Sequence, residues 1–141
     1  MKVVIDTNCL ISCIGKRSDF RNVFDSFLQQ EYELCVSTEI LLEYEELFFQ
    51  LWGQSVTQNL LGVILTSENT LLYDIFYYFQ LIQGDTDDNK FADTYLVANA
   101  DILVSNDKKV LALNKVDFPS IQVMRLGVFS NLLKDGLILS K

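Results

Sequence analysis

Residues 2–6 read KVVID, three β-branched apolar residues closed at once by an acid. A continuous apolar run bounded by a polar residue suits a strand buried on both faces of a parallel sheet, and it sets Asp6 at the strand's carboxyl end. The pattern returns in ILVSND, residues 102–107, where a strand predicted over Ile102–Ser105 leads into Asn106 and Asp107. Two more strands are predicted at Tyr32–Val36 and Ile121–Met124. Between the strands the apolar spacing becomes helical. Phe20, Val23, Phe24, Phe27 and Leu28 share one face of Asp19–Gln30, and Ile40, Leu41, Tyr44, Leu47, Phe48 and Leu51 share one face of a helix capped by Ser37 and running to about Gln50. Further helices are predicted at Ser55–Leu65, Asp88–Asn99, Lys108–Leu113 and Val128–Leu133. Thr70–Ile82 is apolar nearly all round and suits either a buried helix or a strand leading into one. Strands alternating with helices predict an α/β fold, a three-layer α/β/α sandwich around a parallel sheet of about five strands, with ligands beyond the carboxyl ends of the strands.

A chain of 141 residues, half of them hydrophobic, is expected to form a single domain over residues 1–141. One Pro, six Gly and 21% charged residues argue against disorder. The apolar run at the N-terminus is broken by Asp6, so no signal peptide is expected, and no stretch approaches the roughly 18 apolar residues of a membrane span. Cys9, Cys13 and Cys35 form an odd set without a CxxC pair, which fits a reducing compartment, the cytoplasm by default. The absence of histidine excludes Ser-His and Cys-His catalysis and histidine zinc sites. A net charge of −8 opposes nucleic-acid binding at first sight, but two bound divalent ions would halve it, leaving the distribution of the bases to decide.

Four acids occupy informative places. Asp6 and Asp107 follow strands; Glu43 borders the apolar stripe of its helix, with Glu39 and Glu46 turned further out; Asp88 heads the stripe of Phe91, Ala92, Tyr95 and Asn99, with Asp93 rotated off it. Each also has a plain reading: Asp6 and Asp107 as loop acids capping the next helix, Glu43 as a surface glutamate, Asp87 or Asp88 as an N-cap. Asp85 and Asp87 are assigned to the turn before the helix. Together, four converging carboxylates would repel one another unless cations neutralised them. With oxygen ligands alone on offer, Mg²⁺ or Mn²⁺ is favoured, and such ions serve phosphodiester cleavage.

The sequence resembles the PIN domain family, in particular bacterial PIN-family toxin components of toxin-antitoxin systems. The resemblance is carried by VVIDTNCLIS, VSTEILLEYEEL, DDNKFADTYLVANAD and LVSNDKKVLAL, in that order, and residues 54–83 match no motif. It implies a PIN-like sandwich and a metal-dependent endoribonuclease acting on RNA, often dimeric and, in the toxin branch, restrained by an antitoxin protein. Its four acids fall on Asp6, Glu43, Asp88 and Asp107, its supporting polar residues on Asn8 and Ser105, with Asp93 as an outer acid or a surface or capping residue.

Lys16, Arg17, Arg21, Lys90, Lys108 and Lys109 lie near the proposed ligands in sequence; Arg17, Lys90, Lys108 and Lys109 are candidates for gripping substrate phosphates, the plain reading being solubilising charge. Tyr73, Phe76, Tyr77, Tyr78 and Phe79 exceed what a small core absorbs and suggest a homodimer surface. Two rival functions remain: a non-catalytic PIN-like interaction module, and another Mg²⁺-dependent phosphohydrolase. The second lacks its DxD pair, since Asn8 stands two places after Asp6.

Overall fold

The KVVI run forms β1 (Lys2–Ile5), the central strand of a five-stranded sheet. Around it lie β2 (Glu33–Val36), β3 (Thr70–Leu72), β4 (Ile102–Val104) and β5 (Val123–Met124), in the order β3-β2-β1-β4-β5. Every pairing is parallel, with Val3 opposite Leu34 and Ile102, and Ile5 opposite Val104. The structure is a computed structural model that describes residues 1–82 and 86–136. The predicted turn residue Asp85 lies outside the described residues.

The helices are α1 (Thr7–Ile14), α2 (Arg21–Leu28), α3 (Thr38–Thr66), α4 (Asn89–Ala98), α5 (Lys108–Leu111) and α6 (Leu126–Lys134). Helix α4 packs on β1, β2 and β4, while α2 packs on both α1 and α6, giving the expected α/β/α arrangement. Flanked by strands on both edges and helices on both faces, Val3, Val4 and Ile5 are fully buried, each such side chain contributing roughly 1.5–3 kcal/mol.

Two local expectations change. The segment after Asp6 is a helix, α1, that the strand reading of the N-terminus did not anticipate. The helices predicted to end near Gln50 and to start at Ser55 are both present within α3, meeting at a kink at Gly53, whose non-helical backbone (φ 81°, ψ −178°) suits a residue without Cβ. Thr70–Ile82 gives only the three-residue β3 and then an irregular segment in which Phe76, Tyr77 and Tyr78 are 82%, 76% and 61% exposed. The segment after β3 is not helical, and it is buried only where it returns to α4 at Ile82: Asn89 accepts from the Ile82 N–H (2.9 Å) and donates to the Ile82 carbonyl (3.0 Å).

This order has a direct consequence for function. The chain winds from β1 outward to β2 and β3, then crosses back to place β4 and β5 on the other side of β1. The reversal falls between β1 and β4, and the crevice beyond their carboxyl ends is where open α/β sheets bind ligands.

Candidate functional site

Asp6 and Ser105 stand at that crevice, each the residue directly after its strand. The Asp6 N–H donates to the Val104 carbonyl (2.9 Å), continuing the ladder, and the fully buried Ser105 hydroxyl donates to Asp6 Oδ2 at 2.8 Å. The same Ser105 oxygen accepts the N–H of Asp107 at 3.1 Å, so one buried hydroxyl joins the two acid-bearing turns. Burial raises the Asp6 carboxyl above its ordinary range; hydrogen bonds from Ser105 and the Asn8 backbone N–H hold it down, and the charges of Glu43 and Asp107 push it up. Both acids therefore lie within electrostatic reach of Asp6.

Glu43 arrives from α3. Ser37 caps this helix by accepting from the Ile40 N–H (3.4 Å). One turn later the buried Tyr44 hydroxyl donates to the carbonyl of Ile5 at 2.5 Å, fastening α3 to the end of β1. Glu43 is thereby fixed beside Asp6. The buried Thr7 hydroxyl donates to Glu43 Oε2, and Lys90 Nζ lies 3.4 Å from Oε1. Asp88 closes the 3-10 turn Thr86–Asp88 and stands at the N-cap position of α4 without a side-chain capping bond.

Thr7 was not singled out by the sequence. The resemblance drew attention to Asn8, yet the Asn8 side chain is exposed and its contribution to Asp6 is through the backbone. A hydroxyl at the first position of α1, directly after the strand acid, is the signal that could have found Thr7. Asp107 is exposed and fulfils the plain reading as well, capping α5 by accepting the Lys109 N–H at 2.7 Å. Lys108, Lys109 and Arg17 are exposed, as phosphate contacts require, whereas Lys90 is engaged with Glu43.

Asp93 departs from its expected surface or capping place. Only 2% exposed, it accepts the Phe79 N–H at 3.0 Å, because the segment after β3 lies over that side of α4. Burial raises its carboxyl, the Phe79 bond opposes the rise, and Glu39 adds to it. Asp93 is an anchor for the aromatic segment. The thiols of Cys9 and Cys13 are pushed up to about 12 and that of Cys35 to about 11, chiefly by burial, and all three are free. They are inert core residues.

Among the described residues, no group of three or more acidic or cysteine side chains is arranged to hold a metal ion as it stands. The expected convergence of four carboxylates on one point is thus not present as a ready-made cage. The donor chemistry still suits a hard cation: all candidate ligands are oxygens, and Asp6 is buried within reach of two further negative charges. Mg²⁺ commonly binds through one or two carboxylates, its own waters and substrate phosphates.

A parallel α/β sheet with Asp6 and Ser105 at its switch point, and the charges of Glu43 and Asp107 within electrostatic reach of Asp6, defines the class of fold. The PIN domain model matches residues 2–109, and the chain belongs to the PIN domain family. Among solved structures it is similar to VapBC2 from Rickettsia felis bound to a DNA fragment from their promoter (TM-score 0.60, 20% identity, covering 89% of this chain and 98% of that one). It is also similar to the PIN domain endonuclease Utp24 (TM-score 0.53, 19% identity, covering 88% of this chain and 84% of that one). No curated protein matches the sequence.

Proposed function

We propose that this chain is a metal-dependent endoribonuclease, a single domain acting in the cytoplasm as the toxin of a toxin-antitoxin pair. The observation that carries the reading is Asp6: a buried carboxylate at the switch point, held by Ser105 and subject to the charges of Glu43 and Asp107. Membership of the PIN family and the likeness to a protein named an endonuclease support the nuclease class, and the likeness to VapBC2 supports the antitoxin partnership.

In this reading Asp6, Glu43, Asp88 and Asp107 provide the oxygens for Mg²⁺ or Mn²⁺. When bound, such an ion lowers the pKa of its water and stabilises the leaving oxygen. Ser105 and Thr7 orient Asp6 and Glu43; exposed Arg17, Lys108 and Lys109 grip phosphates on either side of the scissile bond. No histidine is available as a base, which agrees with water activated by a cation. The exposed aromatics Phe76, Tyr77, Tyr78 and Phe79 form the homodimer surface.

Purified protein is incubated with a mixed RNA pool and Mn²⁺, with and without EDTA, beside an Asp6→Asn variant. Cleavage that requires the metal and is lost in the variant supports the reading; equal cleavage by variant and parent overturns it. Light scattering behind size-exclusion chromatography tests the dimer, and monomer alone at micromolar concentration removes that part.

A further inference from the structure

Lys90 is placed unlike a solvent-facing lysine. Its side chain is 13% exposed, its Nζ lies 3.4 Å from Glu43 Oε1, and its ammonium stands 5.7 Å from the centre of the Phe91 ring. The other oxygen of the same carboxylate receives the Thr7 hydroxyl. Both oxygens of Glu43 are therefore engaged by donors from two different elements. A divalent ion that took Glu43 as a ligand would have to displace the Lys90 ammonium from Oε1 or bind against its positive charge.

We infer that Lys90 is the resident counter-ion of Glu43, an internal cation that holds this acid in the metal-free protein, competes with a divalent ion for it, and turns to the RNA phosphate once displaced. The inference rests on the proposed metal-dependent cleavage of RNA and assigns Lys90 a role in ordering it. The backbone of α4 is anchored beside Lys90 by the two-way hydrogen bonding of Asn89 to Ile82 and by Asp93 on Phe79. The four-carbon lysine stem allows the ammonium to swing without disturbing the helix. Because metal binding releases the ammonium and phosphate binding retains it, each ligand favours the other, as reciprocal coupling requires.

The test reads binding rather than turnover. Mn²⁺ is titrated into wild type, Lys90→Met and Lys90→Arg without RNA, followed by electron paramagnetic resonance. Removal of a unit charge beside a divalent ion in a partly solvated site is expected to tighten Mn²⁺ binding by about five- to tenfold in K90M, with K90R close to wild type. RNA binding is then measured in EDTA for wild type, K90M, E43Q and the double variant. K90M is expected to change RNA affinity by less than about twofold while Glu43 occupies the ammonium, and to weaken it about fivefold in the E43Q background. Unchanged or weakened Mn²⁺ affinity in K90M of unaltered thermal midpoint overturns the inference, as does an equal effect of K90M on RNA in both backgrounds. If K90M fails to fold, Lys90→Gln provides the same comparison. Failure of wild type and variant alike to bind Mn²⁺ overturns the metal-dependent reading itself, whereas tight binding indifferent to Lys90 overturns only the inference.

Discussion

Replacing Asp6 by asparagine removes a charge from a place where the fold tolerates it poorly. Asp6 is 8% exposed and lies within reach of the charges of Glu43 and Asp107, and burying an ion costs several kcal/mol even after the protein relaxes. The Ser105 hydroxyl at 2.8 Å and the Asn8 N–H offset part of this cost, each hydrogen bond to a charged group contributing about 1.5–3 kcal/mol. Asparagine keeps one carbonyl oxygen for Ser105 and forfeits the second acceptor. The balance is a gain of about 1–2 kcal/mol in metal-free stability at neutral pH, or roughly 3–6 °C in Tm for a domain of this size. Urea unfolding in EDTA measures it, with a higher midpoint and an unchanged slope. The pH dependence follows from the direction of the shift. A carboxyl raised in the folded state contributes stability that is present below the ordinary carboxylate pKa and lost as pH rises through the folded value. The advantage of Asp6→Asn is accordingly absent at about pH 3, opens through the acidic range and is full at neutrality. A hundredfold excess of Mn²⁺ over its Kd would add about 2.7 kcal/mol to the wild type and reverse the order. A variant less stable than wild type at pH 7 in EDTA, or a gain that persists undiminished at pH 3, would refute this reasoning.

Two further outcomes are expected. Ser105→Ala removes the hydroxyl that joins the Asp6 and Asp107 turns, and Mn²⁺ affinity and Mn²⁺-supported cleavage should each fall about 10- to 100-fold, measured by metal titration and initial rates, with the far-ultraviolet circular dichroism unchanged. Asp93→Ala strips the Phe79 N–H of its buried acceptor, and amide exchange over residues 79–82 should quicken by about tenfold or more, while Asp93→Asn, which retains an acceptor, should have a smaller effect.

The reach of the sequence differs from residue to residue. Val3, Val4 and Ile5 announce a strand buried on both faces because composition and length are properties of one segment, and Asp6 and Asp107 can be placed at strand ends for the same reason. Glu43 was separable from Glu39 and Glu46 by helical geometry alone, and in the structure it is half-buried while they are exposed. Asp93 was misplaced because the cover that buries it comes from the segment after β3, which no periodicity in α4 can reveal.

What the chain alone determined is therefore the alternation of elements, the oxygen-only chemistry left by the absence of histidine, and which acids stand at the ends of strands. What the tertiary structure decided is which neighbour each acid meets: Ser105 reaches Asp6 across 99 positions and Thr7 reaches Glu43 across 36, while Lys90 balances Glu43 from a third element. Periodicity is local, fixed by the rise and twist of a single helix or strand. Burial and charge balance depend on strand order, and strand order is set only when distant segments pack together.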